Sequence, residues 1–458
     1  AARNRMAALD IRAGKLDEGR AVIDGILVDA PDNANALLLR SGLRFAENKF
    51  DDSIADLRLV LRKEADNDRA LLLLAQAYVR KNELVLAKDS YRRLLEVAPE
   101  SPDGLHQLAV LYTANKEYSE AEALFRKRLE KQPDDLLASG RLVEVLMAQG
   151  QPAKAEAEAR RMAALTNQTG VGDFSLGRVL AQKQDFNASA DAFRKSVAAR
   201  EGDPLPLEGL VRSLLAAGKK GEAISALNQQ AAGGQNQLFA KYLLGGIYGQ
   251  DGDQAKAERY LEDVVREKPD SIAAWGSLAG LYKDRDTRIA VYQRALKAVP
   301  GSPDLTMLLA SEYEQGSRFD DAMLLYEGLL KADPKYELAI NNLAALLLDR
   351  RTDKASHARA LTLAQALAGN ENPAMLDTLG WAHYRAGQFA EAVSVLERVV
   401  AKVGDFPVFR YHLGMAYFAT GNSVGAKQEL TKATEKVEGD YPGLAEARAT
   451  LEKLNKSS

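Results

Sequence analysis

A small residue recurs along this chain at a spacing of 34. Ala75, Ala109, Gly177, Gly245, Ala279, Ala310, Ala344, Gly380 and Gly414 fall into one series. Each follows a leucine: Leu74, Leu108, Leu176, Leu244, Leu278, Leu309, Leu343, Leu379 and Leu413. Three residues after several of them comes a ring, at Tyr78, Tyr112, Tyr248, Tyr282, Tyr313 and Tyr417. Twelve residues after most lies a second small residue: Ala87, Ala121, Ser189, Ala257, Ala322, Ala392 or Ala426. Positions three and four apart share one face of a helix, so Leu74, Ala75 and Tyr78 mark a first helix. Ala87, Tyr91 and Leu94 mark a second. The short polar link Lys81–Leu84 folds the two into an antiparallel hairpin, and Pro99 ends the unit because proline cannot continue a helix. A lone hairpin leaves apolar surface uncovered, so copies of it must stack.

Thirteen such units are expected, starting near residues 1, 34, 68, 102, 136, 170, 204, 238, 272, 303, 337, 373 and 407. Two are irregular. The unit Trp275–Pro300 is short by about three residues, placed here in the turn Lys283–Thr287, and the unit after the next carries extra residues around Arg351–His357. Units near 136 and 204 have Val143 and Val211 at the small position. Leu444–Leu454 reads as a final capping helix. The expected fold is all-α: a solenoid of about thirteen hairpins wound into a right-handed superhelix. Its expected divisions are an N-terminal array over residues 1–235, a C-terminal array over 236–441, and a cap with tail over 442–458. Asn167–Gly172 and Ala231–Gln237 are candidate hinges, or ordinary turns between units.

Composition narrows the chemistry. The 458 residues include no cysteine, which excludes disulfides, thiol nucleophiles and cysteine-held zinc within them. A formal charge of −3 gives no reason to expect nucleic acid as a partner. No apolar run approaches the roughly 20 residues that span a bilayer. The four histidines, His106, His357, His383 and His412, do not sit at metal-ligand spacing, and no phosphate loop or nucleophile elbow is present. No catalytic residue, cofactor or metal is therefore expected.

The Leu-Ala-x-x-Tyr … Ala-x-x-x-Tyr … Pro pattern resembles the tetratricopeptide repeat, with its clearest copies at Leu74–Pro99, Leu108–Pro133, Leu244–Pro269 and Leu309–Pro334. The resemblance implies a non-catalytic scaffold whose first helices line a groove for protein or peptide partners, with polysaccharide as a second class of ligand. Carried onto this chain, the groove residues are Arg69, Gln76, Arg80, His106, Arg178, Glu208, Arg212, Tyr242, Lys283 and Asn341. Toward the end they are Trp381, Tyr384, Arg385, Tyr411, Met415 and Phe418. Asn341 and Asn342 lack the lysines of a carboxylate clamp. The aromatic cluster Trp381–Phe418 reads either as an exposed anchor surface or as core between the last units. Asp377-Thr378-Leu379-Gly380-Trp381 resembles bacterial envelope repeat proteins of exopolysaccharide export and exosortase systems. That implies a periplasmic or outer-membrane-associated setting, with its anchor cut away upstream of Ala1. A cytoplasmic peptide adaptor and the repeat segment of a larger glycosyltransferase-type enzyme are the alternatives.

Overall fold

The computed structural model describes residues 2–165, 170–404, 406–435 and 441–456. Among them are twenty-seven α-helices and no strand, which fall into thirteen consecutive hairpins and the last helix Leu444–Lys456. First helices begin at residues 2, 34, 68, 102, 136, 171, 204, 237, 272, 303, 337, 373 and 407, each within one residue of its expected start. No helix among the described residues is long and apolar enough to cross a membrane. By internal contacts the chain divides into two units, Ala1–Ala240 and Lys241–Ser458. Within each, helices pack chiefly on their sequence neighbours.

The unit at residues 68–97 shows why the sequence folds so. Asn67 caps its first helix, Asp68–Arg80, by accepting the Ala70 N–H at 2.9 Å. Asn33, Ser101, Asp135, Asp203 and Ser271 cap other first helices in the same way. At the far end Asn82 adopts a left-handed φ of 60°, and Glu83 N–H donates to Tyr78 C=O at 2.9 Å. That closes the helix with a Schellman turn. Gly14, Asn48, Lys116, Gly150, Gln184, Gly218 and Gly252 share this backbone at steps of 34. Glycine suits the left-handed conformation, and asparagine tolerates it.

The two irregular units break the phase only partly where the sequence suggested. The shortened unit loses its residues from the end of its first helix, Ile272–Gly280, which is only nine residues long. Arg285–Thr287 already belongs to the second helix, capped by Asp284 accepting the Thr287 N–H at 2.8 Å. In the next irregular unit the second helix, Lys354–Gln365, starts one residue late, so part of the extra length lies at Arg351–Asp353 within the expected stretch, and the rest falls in the connector before Pro373. Neither of these two hairpins keeps a left-handed residue in its turn, unlike the regular ones. Of the proposed hinge Asn167–Gly172, residues 167–169 lie outside the described residues. In the other, Ala231–Gln237, Gly234 N–H donates to Gln230 C=O at 2.9 Å, and buried Asn236 donates to Asp203 C=O at 3.1 Å.

Packing within a hairpin follows a size rule. The recurrent small residue faces a bulky one sixteen positions later on the second helix. A Cβ added at Gly245 would sit 2.6 Å from Leu261 Cγ; at Gly380, 2.6 Å from Leu396 Cγ; at Gly414, 2.7 Å from Leu430 Cγ. Where the first helix carries Val143 instead, the residue sixteen on is Ala159, and both are buried. The recurrent tyrosine joins one hairpin to the previous one. Arg58 and Arg92 donate to the Tyr78 and Tyr112 hydroxyls at 2.8 and 2.9 Å, Gln293 donates to Tyr313 at 3.0 Å, and Tyr417 donates to Glu397 at 2.7 Å.

Neighbouring glycines test the size rule. Gly245 and Gly246 share one helix, and a Cβ at Gly246 would meet no described atom within 4 Å. Gly246→Ala is expected to stabilise by about 0.5–1 kcal/mol, the helix-propensity gain. Gly245→Ala is expected to destabilise by about 1–3 kcal/mol from overpacking, with Leu261→Ala in the same chain recovering part of the loss. Urea unfolding of the four chains checks the order. Equal effects at the two glycines would contradict it.

Candidate binding groove

First helices of successive hairpins touch one another within each unit, as Leu136–Ala148, Val171–Gln182 and Pro204–Ala216 do, and as Glu337–Arg350, Pro373–Arg385 and Pro407–Ala419 do. Second helices make no comparable contact with each other among the described residues. The first helices therefore form the inner wall of each unit, and side chains on their free face line it.

In the first unit that face carries exposed arginines. Arg69 is exposed and Gln76 half-buried. Arg80 is exposed, with its guanidinium 5.0 Å from the Phe50 ring centre and donating to Asn48 Oδ1 at 3.0 Å. His106 is half-buried and edge-on to Phe125 at 6.0 Å, and its Nδ1 has no hydrogen-bond partner. Burial, then the nearby Arg128 and Arg141 charges, hold its pKa below the usual histidine value.

Arg178 lies on the rims of two adjacent cavities. One, of about 210 Å³, has Gly140, Val143, Met147 and Val179 in its wall, with Glu144 beside Arg178. The other, of about 300 Å³, is walled by Phe174, Ala181, Phe193, Leu205 and Gly209, with Glu208 and Arg212 at its edge. The Arg178 side chain is 58% exposed and sits 3.6 Å from Glu144. Arg212 is 80% exposed and sits 3.3 Å from Glu208. Of these residues, sequence reading identified Arg178, Glu208 and Arg212. It did not single out Gly140, Phe174 and Leu205, which line the cavities but carry no charge or hydrogen-bonding group to mark them.

The second unit differs. Tyr242 and Asn341 are half-buried; Ser277 Oγ lies 3.5 Å from the Tyr242 hydroxyl, and Asn341 donates to Asn342 at 3.1 Å. Lys283 is exposed. The terminal aromatics are mostly interior. Trp381 is 4% exposed, Tyr411 2% and Met415 4%. Tyr384 and His412 stack on Trp381 with ring centres at 4.5 and 4.2 Å, and Tyr411 tilts against it at 5.3 Å. No open face of Trp381 is left for a sugar ring or a partner. His412 Nδ1 donates to both Asp377 oxygens at 2.9 Å, and Tyr411 donates to Glu446 on the last helix at 2.7 Å. Half-buried Arg385 places Nη2 3.1 Å from His357 Nε2. Of this cluster only Phe418, at 40%, is exposed. Of the two readings of this cluster, core describes Trp381, Tyr411 and Met415, all buried, and rings of the neighbouring first helix fill the space that Trp381 faces.

Stacked helix hairpins with a side-chain-lined inner wall define a helical-repeat protein. Family models described as tetratricopeptide repeat match residues 43–104, 72–135, 112–169, 240–271, 280–337 and 383–451. The chain belongs to the tetratricopeptide repeat family. A TPR repeat-containing protein of Pseudomonas aeruginosa is 26% identical over 243 residues, covering 53% of this chain and 35% of that protein. The chain thus spans about a third of the length of that curated relative. Among solved structures, Naa15/Naa10 bound to HypK-THB is similar at 13% identity and TM-score 0.44, covering 100% of this chain and 96% of that one. The C-terminal part of a TPR repeat-containing protein from Cytophaga hutchinsonii is similar at 14% identity and TM-score 0.42, covering 60% and 99%. YrrB, titled a TPR protein with an unusual peptide-binding site, is similar at 16% identity and TM-score 0.36, covering 41% and 96%.

Proposed function

We propose that this chain is a non-catalytic interaction scaffold whose inner wall in the first unit holds a segment of a protein partner. Tetratricopeptide repeat proteins act as protein-interaction scaffolds and are generally non-catalytic. The observation that carries the reading here is the pair of cavities meeting at Arg178, formed by three consecutive first helices with Phe193 of a second helix. Concave apolar walls with a few polar groups at the rim are what a peptide side chain needs for anchoring. The test is selection from a displayed random dodecapeptide library, followed by photo-crosslinking from a benzoylphenylalanine placed at Met147 or Leu205. Enriched peptides should crosslink at both positions. Failure to enrich any peptide, or crosslinks found only outside the inner wall, would overturn the reading.

The finer proposal is a periplasmic or outer-membrane-associated role in exopolysaccharide or envelope assembly, and its support is the phrase Asp377–Trp381. Packing within the chain also accounts for residues of that phrase: Asp377 holds His412, Gly380 faces Leu396, and Trp381 fills the ring stack. Fractionation of the native host tests the setting, and recovery of the chain in the cytoplasm would sink it.

A further inference from the structure

Resting on the groove reading above, the geometry points to a particular occupant for the two cavities at Arg178. It is an extended segment with apolar side chains three residues apart and a carboxylate between them. The spacing comes from the helices. First helices in contact lie about 8–10 Å apart, and each cavity opens between one such pair. A chain in the polyproline II conformation advances about 3.1 Å per residue and completes a turn every three residues, so side chains at i and i+3 face the same way and span that separation. Each cavity offers apolar side chains: Val143 and Met147 in one, beside the polar Ser175 and Gln182, and Phe174 and Leu205 in the other. Leu205 is 53% exposed.

Charge selects what lies between the two apolar side chains. Arg178 stands on both rims, so a group bridging the cavities must pass over its guanidinium. Glu144 already faces two arginines, Arg141 at 2.8 Å and Arg178 at 3.6 Å, and Glu208 faces Arg212. The two cavities are lined by two arginines and two glutamates, but Arg141, outside both linings, draws on Glu144, so Arg178 shares its acidic neighbour. The Arg178 guanidinium stays open to a carboxylate, for which its planar fork is suited.

Fluorescence anisotropy with the labelled peptide Ser-Gly-Leu-Glu-Gln-Leu-Gly-Ser tests this directly. Companion peptides carry Gln or Lys in place of Glu, or bring the two leucines to i and i+2. The Glu peptide is expected to bind about tenfold or more tighter than the Lys peptide. The i+2 spacing should weaken binding. Arg178→Glu, at an exposed site where the fold survives, should invert the preference toward the Lys peptide. Equal binding of all four peptides, or an unchanged preference in Arg178→Glu, overturns the inference. The sequences enriched from the dodecapeptide library separate the two readings. Peptides that crosslink at Met147 and Leu205 but lack the apolar-x-x-apolar acidic pattern sink this inference and leave the scaffold reading standing. No binding by any peptide sinks both.

Discussion

Replacing Trp381 with alanine is expected to destabilise the last hairpins by about 3–5 kcal/mol, the range for truncating a large buried ring. The indole is 4% exposed and packs against Tyr384 of its own helix and His412 and Tyr411 of the next. Removing it opens a void between Pro373–Arg385 and Pro407–Ala419. The loss should appear as faster amide hydrogen exchange in both helices, with little change in the first unit, since repeat arrays respond locally. Trp381→Phe should cost less than about 2 kcal/mol. It keeps much of the ring and removes an indole N–H that is buried without a hydrogen-bond partner. A groove anchor would behave in the opposite way. Alanine there would leave exchange unchanged and lower affinity alone. Unaltered exchange at residues 407–419 in Trp381→Ala would therefore return Trp381 to the surface.

The contrast shows what periodicity can and cannot specify. Helix phase placed Ala75, Leu108 and Gly245 against a neighbour, since every unit repeats that contact and the spacing is visible in one chain. For Trp381, phase left groove and core both open. It could not show that His412 and Tyr411, about thirty residues later, fill the space in front. That is a contact between side chains on separate hairpins, and nothing periodic encodes it. The pairing of small with bulky residues sixteen apart was open to reading, in Gly177 with Phe193 and in Val143 with Ala159. A search for small residues alone hid it. The left-handed turn residues were also present at a step of 34, but Asn82, Lys116 and Gln184 share a backbone conformation rather than a chemical type. The slip at residue 272 was visible as a changed spacing. Its place was not, because three residues can leave a turn or a helix end with the same effect on later phase.

Gly209→Ala joins the fold to the groove. Phe193 lies between two first helices, and Gly177 and Gly209 both face it. A Cβ at Gly209 would fall 2.5 Å from Phe193 Cε1, and one at Gly177 would fall 2.9 Å from the same ring. The ring has no easy retreat, since moving from one glycine carries it toward the other and Phe174 stands edge-on at 5.8 Å. Overpacking here should cost about 2–3 kcal/mol, the upper part of its usual range, outweighing the gain of about 1 kcal/mol from replacing a helical glycine. Gly209 and Phe193 also wall the second cavity, so the substitution should reshape the pocket that faces Leu205. Peptides that crosslink at Leu205 should lose affinity, while crosslinking at Met147 in the neighbouring cavity persists. Phe193→Leu in the Gly209→Ala chain shortens the obstructing side chain and should restore part of the stability. If Gly209→Ala stabilises the chain, as an unopposed helical alanine would, then Phe193 is not confined between the two glycines and the second cavity has a different wall.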